Sequence, residues 1–256
     1  MVRLKELRKE KMIEVNSLWI GKSLTALEQM CLSSHIHHGH KFNLWCYNHI
    51  SNVPDGVEMK DAREILPEDE VFAYAVGEGK GSYSAFSNFF RYKLLLDRGG
   101  WWVDMDVCCL KPFFMIQDRV FASERTKNGG RIATTCVIKT PPDDKVMLYC
   151  CQSCYRIDKR IVEWGEIGPR LLDRTVNNLY AEVDVLSVDT FCPIDWFDTN
   201  RFFEDKPIPD SYAIHLWNEM WRRTGKDKDS YQENTLYGRL RERYLPIAKK
   251  THVLMM

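Results

Sequence analysis

Residues Gly99 to Cys109, GGWWVDMDVCC, close an apolar run with two carboxylates, Asp104 and Asp106, separated by one residue. An ionised carboxylate at the end of a hydrophobic strand is costly unless a cation or a set of donors compensates it. Positions two apart on a strand project to the same side, so the two groups can converge on one point. In open α/β sheets ligands bind beyond the carboxyl ends of the strands. Two carboxylates there form a hard-oxygen site for Mg2+ or Mn2+, shared with the phosphates of a nucleotide. Asp-x-Asp alone is common by chance; its weight comes from standing after RYKLLLDRGGWWV and before Pro112.

Upstream, Ser84, Asn88 and Arg91 recur at spacings of four and three, which places them on one helix face. Phe86, Phe89, Phe90, Leu94 and Leu96 occupy the other faces. A polar stripe with a fixed-charge Arg suits sugar hydroxyls or a phosphate. It suits equally a solvated face with Arg91 paired to a surface acid, and spacing leaves both open. Two other clusters tempt. HIHHGH (His35, His37, His38, His40) looks like a metal tract, but it falls where a helix stops at Gly39, and a His there suits the helix dipole. Cys150, Cys151 and Cys154 lack a second ligand pair at zinc spacing and read as small buried residues on a helix.

The elements that must position these residues alternate. EVNSLWIG reads as a strand, Leu24, Leu27 and Cys31 recur at helical spacing, and KFNLWCY is extended again, which predicts a βαβ unit with a parallel pair. VPDGVEMKDA adds a turn and a short strand. A Gly/Ser loop, GEGKGSYS, leads into the helix SAFSNFFRYKLLLDRGG, ended by Gly99 and Gly100, and the Asp-x-Asp strand follows. RIATTCVIKT reads as a strand, PPDDKVMLYCCQSCYRI as a helix with Pro and Asp in its first turn, GPRLLDRTVNNLY as another helix, and EVDVLSV as a strand. With no linker and no fixed-period repeat, this is one α/β domain.

Composition narrows the function classes. The 256 residues carry 36 basic and 36 acidic side chains, so the global basic field that nucleic-acid binding usually needs is missing. The nine cysteines, the charged opening MVRLKELRKEKM and the lack of a glycosylation sequon predict free thiols in a cytoplasmic protein. No segment offers a membrane-spanning run of apolar residues. The basic ends, including RLRERYLPIAKK, leave open a peripheral contact with an anionic cytoplasmic leaflet, or merely a solvated helix.

FSNFFRYKLLLDRGGWWVDMDV resembles the signature of the Asp-x-Asp sugar transferases, glycosyltransferase family 32 and its relatives. These include Och-type mannosyltransferases, α1,4-galactosyltransferases and, more distantly, the large clostridial glucosylating toxins. LWIG resembles the toxin-like strand whose Trp stacks on the uracil of UDP, and GPRLL, FCPIDWFDTNRFFE and YAIHLWNEMW resemble the α1,4-galactosyltransferase C-terminal region. The matches keep family order from Trp19 to Trp221, about four fifths of the chain.

The resemblance implies a GT-A-type, Rossmann-like fold with a mixed, mostly parallel sheet, flanking helices and a single domain. A nucleotide-sugar half would run over about 13–125 and an acceptor half over about 126–256. It implies a retaining, Mn2+- or Mg2+-dependent hexosyltransferase acting on a nucleotide sugar, UDP-linked, and on a saccharide or lipid-linked glycan acceptor. Asp104 and Asp106 match the metal and nucleotide pair; Trp19 the uracil platform; Trp102 the aromatic that flanks the ribose; Ser87 and Arg91 the donor-binding helix. His215, Trp217 and Asn218 match the C-terminal motif that folds over metal and diphosphate, the imidazole as ligand and the indole N–H as phosphate donor. Asn88 stands where the family carries Asp; it keeps hydrogen bonds to sugar hydroxyls and loses a charge. Asp195 in CPIDW is either an acceptor-side carboxylate or a surface acid. Two rival readings remain, a haloacid-dehalogenase-like phosphotransferase with Asp104 as nucleophile, and a non-catalytic nucleotide-sugar binder, prompted by Asn88.

Overall fold

The computed structural model describes residues 12–179 and 185–245. Its elements run β1 (Glu14–Trp19), α1 (Ala26–His37), β2 (Lys41–Cys46), β3 (Val57–Asp61), α2 (Ser84–Arg98), β4 (Gly100–Val103), β5 (Val107–Cys109), β6 (Val120–Arg125) and β7 (Arg131–Thr140). There follow α3 (Lys145–Arg156), α4 (Pro169–Leu179), α5 (Val188–Phe191), β8 (Ala213–His215), α6 (Asn218–Thr224) and α7 (Leu236–Tyr244). The main sheet has the order β3-β2-β1-β4-β7-β6. β1 pairs in parallel with β2 and β4, and β2 with β3, whereas β7 lies antiparallel to β4 and β6 antiparallel to β7. This is the mixed, mostly parallel, GT-A-type single domain that the sequence resemblance implies.

Strand alternation explains why the sheet carries a core on each face. Trp101 and Val103 pack with residues of α1, α5 and α7, while Trp102, one position along, packs with residues of α2, α3 and α4. A buried Asn locks the register of the central strands. Asn16 on β1 donates to Trp101 O on β4 at 3.0 Å and accepts from the Trp45 indole on β2 at 3.0 Å. Both ends of the Asn16 amide thus have partners, as burial demands, whereas Ser17 Oγ, Asn43 Oδ1 and Thr140 Oγ1 on the sheet strands have none.

α2 buries Phe86, Phe89, Phe90, Leu94 and Leu95 and stops at Gly99, which has φ +63°. A Cβ at Gly99 would come within 2.5 Å of Pro142 N, so both conformation and space demand glycine. The chain then turns directly into β4, which fixes α2 and the Asp-x-Asp segment relative to each other. A separate two-stranded ribbon joins β5 to β8 antiparallel, with Val107 opposite His215.

Several expectations need correcting. α3 begins at Lys145, because Asp143 sits at φ +56° and Asp144 caps the helix, accepting from Val146 N at 2.8 Å; the prolines precede the first turn. The strand expected at 182–188 lies largely outside the described residues, although Val185 makes a parallel bridge to Phe121. The run Gly99 to Cys109, read as one strand, breaks after Val103 and resumes at Val107 as β5, and β6 and β8 were not anticipated as strands. The basic N-terminus and residues 246–256 also lie outside the described residues.

His35, His38 and His40, at the end of α1 and just beyond it, are not charged partners of its dipole. Burial first, then neighbouring imidazoles, holds His35 well below the ordinary value and His38 and His40 down at about 4. The three cysteines of α3 are buried, as expected, and all nine cysteines are free thiols. No described helix is long and apolar enough to cross a membrane.

Candidate active site

Past the end of β4 the chain makes a tight turn, with Asp104 N–H donating to Cys136 O at 2.8 Å and Val107 N–H to Asp104 O at 3.0 Å. Because Val107 opens β5 and β5 pairs with β8, His215 is delivered beside Asp106; its Nε2 lies 3.3 Å from Asp106 Oδ1. Trp217 then takes a left-handed conformation, φ +58°, which turns the backbone so that Asn218 N–H donates to Asp106 Oδ2 at 2.7 Å. One ligand atom each from Asp104, Asp106 and His215 lies within 4.8 Å of the others.

Asp104 is held from the other side. Arg91 Nη1 lies 2.9 Å from Asp104 Oδ1 and the Trp102 indole donates to the same oxygen at 2.8 Å. Arg91 is itself fastened: Nη1 donates to Thr135 O at 2.7 Å, Nη2 to Ser87 Oγ at 3.0 Å and Nε to Ser87 O at 3.1 Å. It is 3 % exposed, so the open alternative of a solvated face paired to a surface acid falls away. Arg91 is a buried brace between α2, β7 and Asp104.

The electrostatics follow. Burial pushes Asp104 above the usual carboxylate range, against the pull of Arg91. Burial raises Asp106 as well, but the His215 imidazole and the Asn218 N–H outweigh it and hold Asp106 below that range. Asp106 holds His215 well above its ordinary value, in spite of burial. The Arg91 guanidinium thus stands against Asp104 and the His215 imidazole against Asp106.

These residues line a cavity of about 770 Å³. Of the positions singled out from sequence, Trp19, Ser87, Asn88 and Arg91 reach it from one side of the Asp pair, and His215, Trp217 and Asn218 from the other. The Asn88 amide is 5 % exposed and makes no hydrogen bond inside the protein, so its donors and acceptor are left for the cavity.

Trp102 does not fit the expectation. It is fully buried, does not line the cavity, and lies under Arg91, whose Cζ is 4.9 Å from the ring centroid. It supports Asp104 and does not wall a ribose. The Trp217 indole N–H is likewise spent, donating to Ile194 O at 2.7 Å, so it is not the phosphate donor the resemblance implies. Trp217 contributes its ring, 3.8 Å from that of His215. Asp195 is paired to Arg125 at 3.3 Å and does not line the cavity; its neighbour Trp196 does.

Two family models match the chain, and they meet at this site. Residues 24–126 match the "glycosyltransferase sugar-binding region containing DXD motif", and residues 151–251 match the "alpha 1,4-glycosyltransferase conserved region". Asp104 and Asp106 lie in the first, His215 and Asn218 in the second. The chain is a relative of the DXD glycosyltransferases.

Curated relatives include lactosylceramide 4-alpha-galactosyltransferase of Homo sapiens and of Pongo pygmaeus, each 30% identical over 101 residues and covering 32% of this chain. The match spans 28% of the human protein and 45% of the orangutan one. Among solved structures, the PaToxG glycosyltransferase aligns with a TM-score of 0.46 and 12% identity, covering 65% of this chain and 69% of that one. The apo-form glycosyltransferase GlyE of Streptococcus pneumoniae aligns with a TM-score of 0.44 and 11% identity, covering 84% and 61%. Likeness at this distance carries no mechanism.

In this DXD-glycosyltransferase relative the donor set suits a hard divalent cation. Asn218 Nδ2 donates to Glu28 Oε1 at 3.2 Å, which leaves Asn218 Oδ1 buried with no hydrogen-bond partner. A buried acceptor left over beside two carboxylates and an imidazole is what Mg2+ or Mn2+ takes up.

Sequence reasoning missed part of the site. Glu28 is buried at the start of α1, accepts from Thr25 N at 2.8 Å, and pairs with Lys228 Nζ at 2.8 Å. Arg222 and Arg223 on α6 line the cavity, and Arg223 Nη2 is buried without a partner. The run EMWRR was visible directly after HLWN, but its cationic end was not read. Glu124 on β6 was missed too, and no local pattern marks it.

Proposed function

We propose that this protein is a retaining, metal-dependent hexosyltransferase. It moves a hexose from a nucleotide sugar, UDP-linked, to a saccharide or lipid-linked saccharide acceptor and forms an α-glycosidic bond. The observation that carries the reading is the meeting of Asp104 and Asp106 with His215 and Asn218 on one cavity wall, from segments 112 residues apart at the Asn218–Asp106 bond. The names of the curated relatives, which describe α-galactosyl transfer to a glycolipid, support the donor, linkage and acceptor classes.

Breaking the anomeric C–O bond leaves negative charge on a diphosphate, and the site must stabilise that charge as it develops. Asp104, Asp106, His215 and Asn218 would hold the Mn2+ or Mg2+, which supplies Lewis-acid stabilisation of the departing diphosphate. Arg91 acts by keeping Asp104 in place, because all of its bonds go to protein groups. The cationic wall of Arg222, Arg223 and Lys228 faces the diphosphate side, and Trp19 offers an aromatic surface for the base. Asn88 hydrogen-bonds donor hydroxyls. A phosphotransferase reading fares worse, since the would-be nucleophile Asp104 has its Oδ1 engaged by Arg91 and Trp102. We propose cytoplasmic placement, supported by nine free thiols, with a peripheral membrane contact through the basic ends.

The test is a screen of UDP- and GDP-sugars for Mn2+-dependent release of the nucleoside diphosphate, comparing wild type with Asp106→Asn. Release with a UDP-hexose that is lost in the variant is expected. No metal-dependent hydrolysis or transfer with any donor would overturn the proposal.

A further inference from the structure

The carboxylates of the cavity wall are not equivalent. Asp104 pairs with Arg91, Asp106 with His215, Glu78 with Arg223, and Glu219 with Arg222 and Arg223. Among the described residues that line the cavity, Glu124 alone is a carboxylate with no cationic partner. One oxygen, Oε2, accepts from Thr134 Oγ1 at 2.6 Å, and the other has no partner in the protein. Burial pushes its pKa up, with His215 and Asp195 close enough to contribute.

The fold explains why Glu124 stands apart. β1 and β7 flank β4 on opposite sides, and β6 lies beyond β7. Trp19, at the end of β1, and Glu124, on β6, therefore stand on opposite sides of the Asp-x-Asp segment. The β6–β7 pairing sets Ala122 opposite Thr134 and Glu124 opposite Ile132, so Glu124, Ile132 and Thr134 share one face, and that face borders the cavity.

Trp196 completes the same end. Its segment is tied down on both sides, by Arg125 to Asp195 at 3.3 Å and by the Trp217 indole to Ile194 O at 2.7 Å. Lys127 Nζ lies over its ring, 4.9 Å from the centroid, and Trp196 lines the cavity. An unpaired carboxylate repels a diphosphate, and Arg125 and Lys127 at this end do not line the cavity, whereas Arg222, Arg223 and Lys228 line it elsewhere. A carboxylate oxygen and an indole together suit a neutral saccharide, whose hydroxyls donate and whose C–H face stacks on an aromatic ring.

We infer that Glu124, positioned by Thr134, and Trp196 form the acceptor subsite, with Glu124 accepting a hydrogen bond from a hydroxyl of the acceptor saccharide. The inference rests on the transferase reading and adds to it the residues that choose the acceptor. It moves the acceptor-side carboxylate from Asp195, which Arg125 engages, to Glu124.

The experiment measures two quantities on the full chain. UDP binding in the presence of Mn2+ is followed by calorimetry, and transfer from the donor identified above is followed with lactose, N-acetyllactosamine and the methyl glycosides of glucose, galactose and mannose as acceptors. Glu124→Ala and Trp196→Ala should each raise the acceptor KM tenfold or more and leave UDP–Mn2+ affinity within twofold, which also reports that the variants fold. Trp196→Phe should restore most of the acceptor KM, because the stacking surface returns. Unchanged acceptor KM in both alanine variants, or an equal loss of UDP affinity and transfer, overturns the subsite, as does a wild type that transfers to none of these saccharides. Failure of the transferase reading is a different result, a wild type with neither metal-dependent UDP binding nor donor turnover.

Discussion

Of the three clusters of metal-ligating side chains among the described residues, Cys136, Cys192 and His215 form one, and the other two make the sharpest contrast. The first of these two is Asp104, Asp106 and His215; the second is His35, His40 and Cys109. In the second, Phe113 N–H donates to His40 Nε2 at 3.1 Å, which leaves His40 Nδ1 as the protonated nitrogen. That N–H meets His35 Nδ1 at 3.0 Å, and His35 Nε2–H reaches Val107 O at 3.2 Å. Every ring nitrogen is used and both rings are neutral, held so by burial. The cluster is closed. In the first, two carboxylates stand together with one guanidinium and one imidazole, Asn218 Oδ1 has no partner, and the group opens on a cavity. Ligand types in proximity do not make a metal site; unused bonding capacity beside a path for the ion does.

The contrast breaks most visibly at Asp106. Asp106→Asn should lower Mn2+-dependent UDP affinity and turnover together, turnover by about a thousandfold, because it removes charge from the cation site. His40→Gln should leave Mn2+-dependent turnover unchanged, and equilibrium dialysis against Zn2+ should give wild type and His40→Gln the same stoichiometry. A zinc ion lost with His40 would erase the distinction between the clusters.

Next in size is Arg91→Lys. An ammonium cannot keep the contacts to Ser87, Thr135 and Asp104 at once. Breaking a buried ionic network typically costs about 3 kcal/mol or more. Thermal unfolding should fall by several degrees, and turnover should drop by more than nucleotide affinity, since Asp104 loses its position. An unchanged melting temperature would mean that Arg91 is not the brace described.

The closed cluster makes its own prediction, with a definite sign. His40 has a folded pKa of about 4 against an ordinary value of 6.5. Between those values the unfolded chain binds more protons, so stability is full above pH 6.5 and falls as the pH drops toward 4. At pH 5 His40 alone should cost about 2 kcal/mol, and His35 and His38 shift in the same direction. Denaturant titrations at pH 7 and pH 5 measure this; equal stability at both pH values would show that the cluster is not buried neutral.

How much of this was legible depended on distance along the chain. The helix before the Asp pair declares itself by periodicity, and the pair by its place after Gly99 and Gly100. His215 and Asn218 had no local signal, because a register between two three-residue strands brings them in; only a family resemblance could name them. Glu124 is one acid among 36 acidic residues, and its lack of a cation is a property of the folded cavity. The charge state of the α1 histidines was misjudged because burial, which sequence does not report, outweighed the helix dipole.

Trp102 shows a case where parity could have said more. Read as a strand, the run puts positions 102 and 104 on one face, so an indole two residues before Asp104 can reach its carboxylate, and in the fold it does, at 2.8 Å, even though β4 ends at Val103 and Asp106 lies in the turn beyond it. Trp102→Phe keeps most of the packing and removes that donor. A single hydrogen bond to a charged group is worth roughly 1.5–3 kcal/mol net, and a surviving contact from Arg91 cushions its loss. UDP affinity with Mn2+ should therefore fall only about fivefold, the smallest effect in this series. Uridine affinity measured without metal separates the two roles for this residue. A ring that supports Asp104 leaves uridine binding unchanged, whereas a ring that walls the ribose lowers it with or without Mn2+.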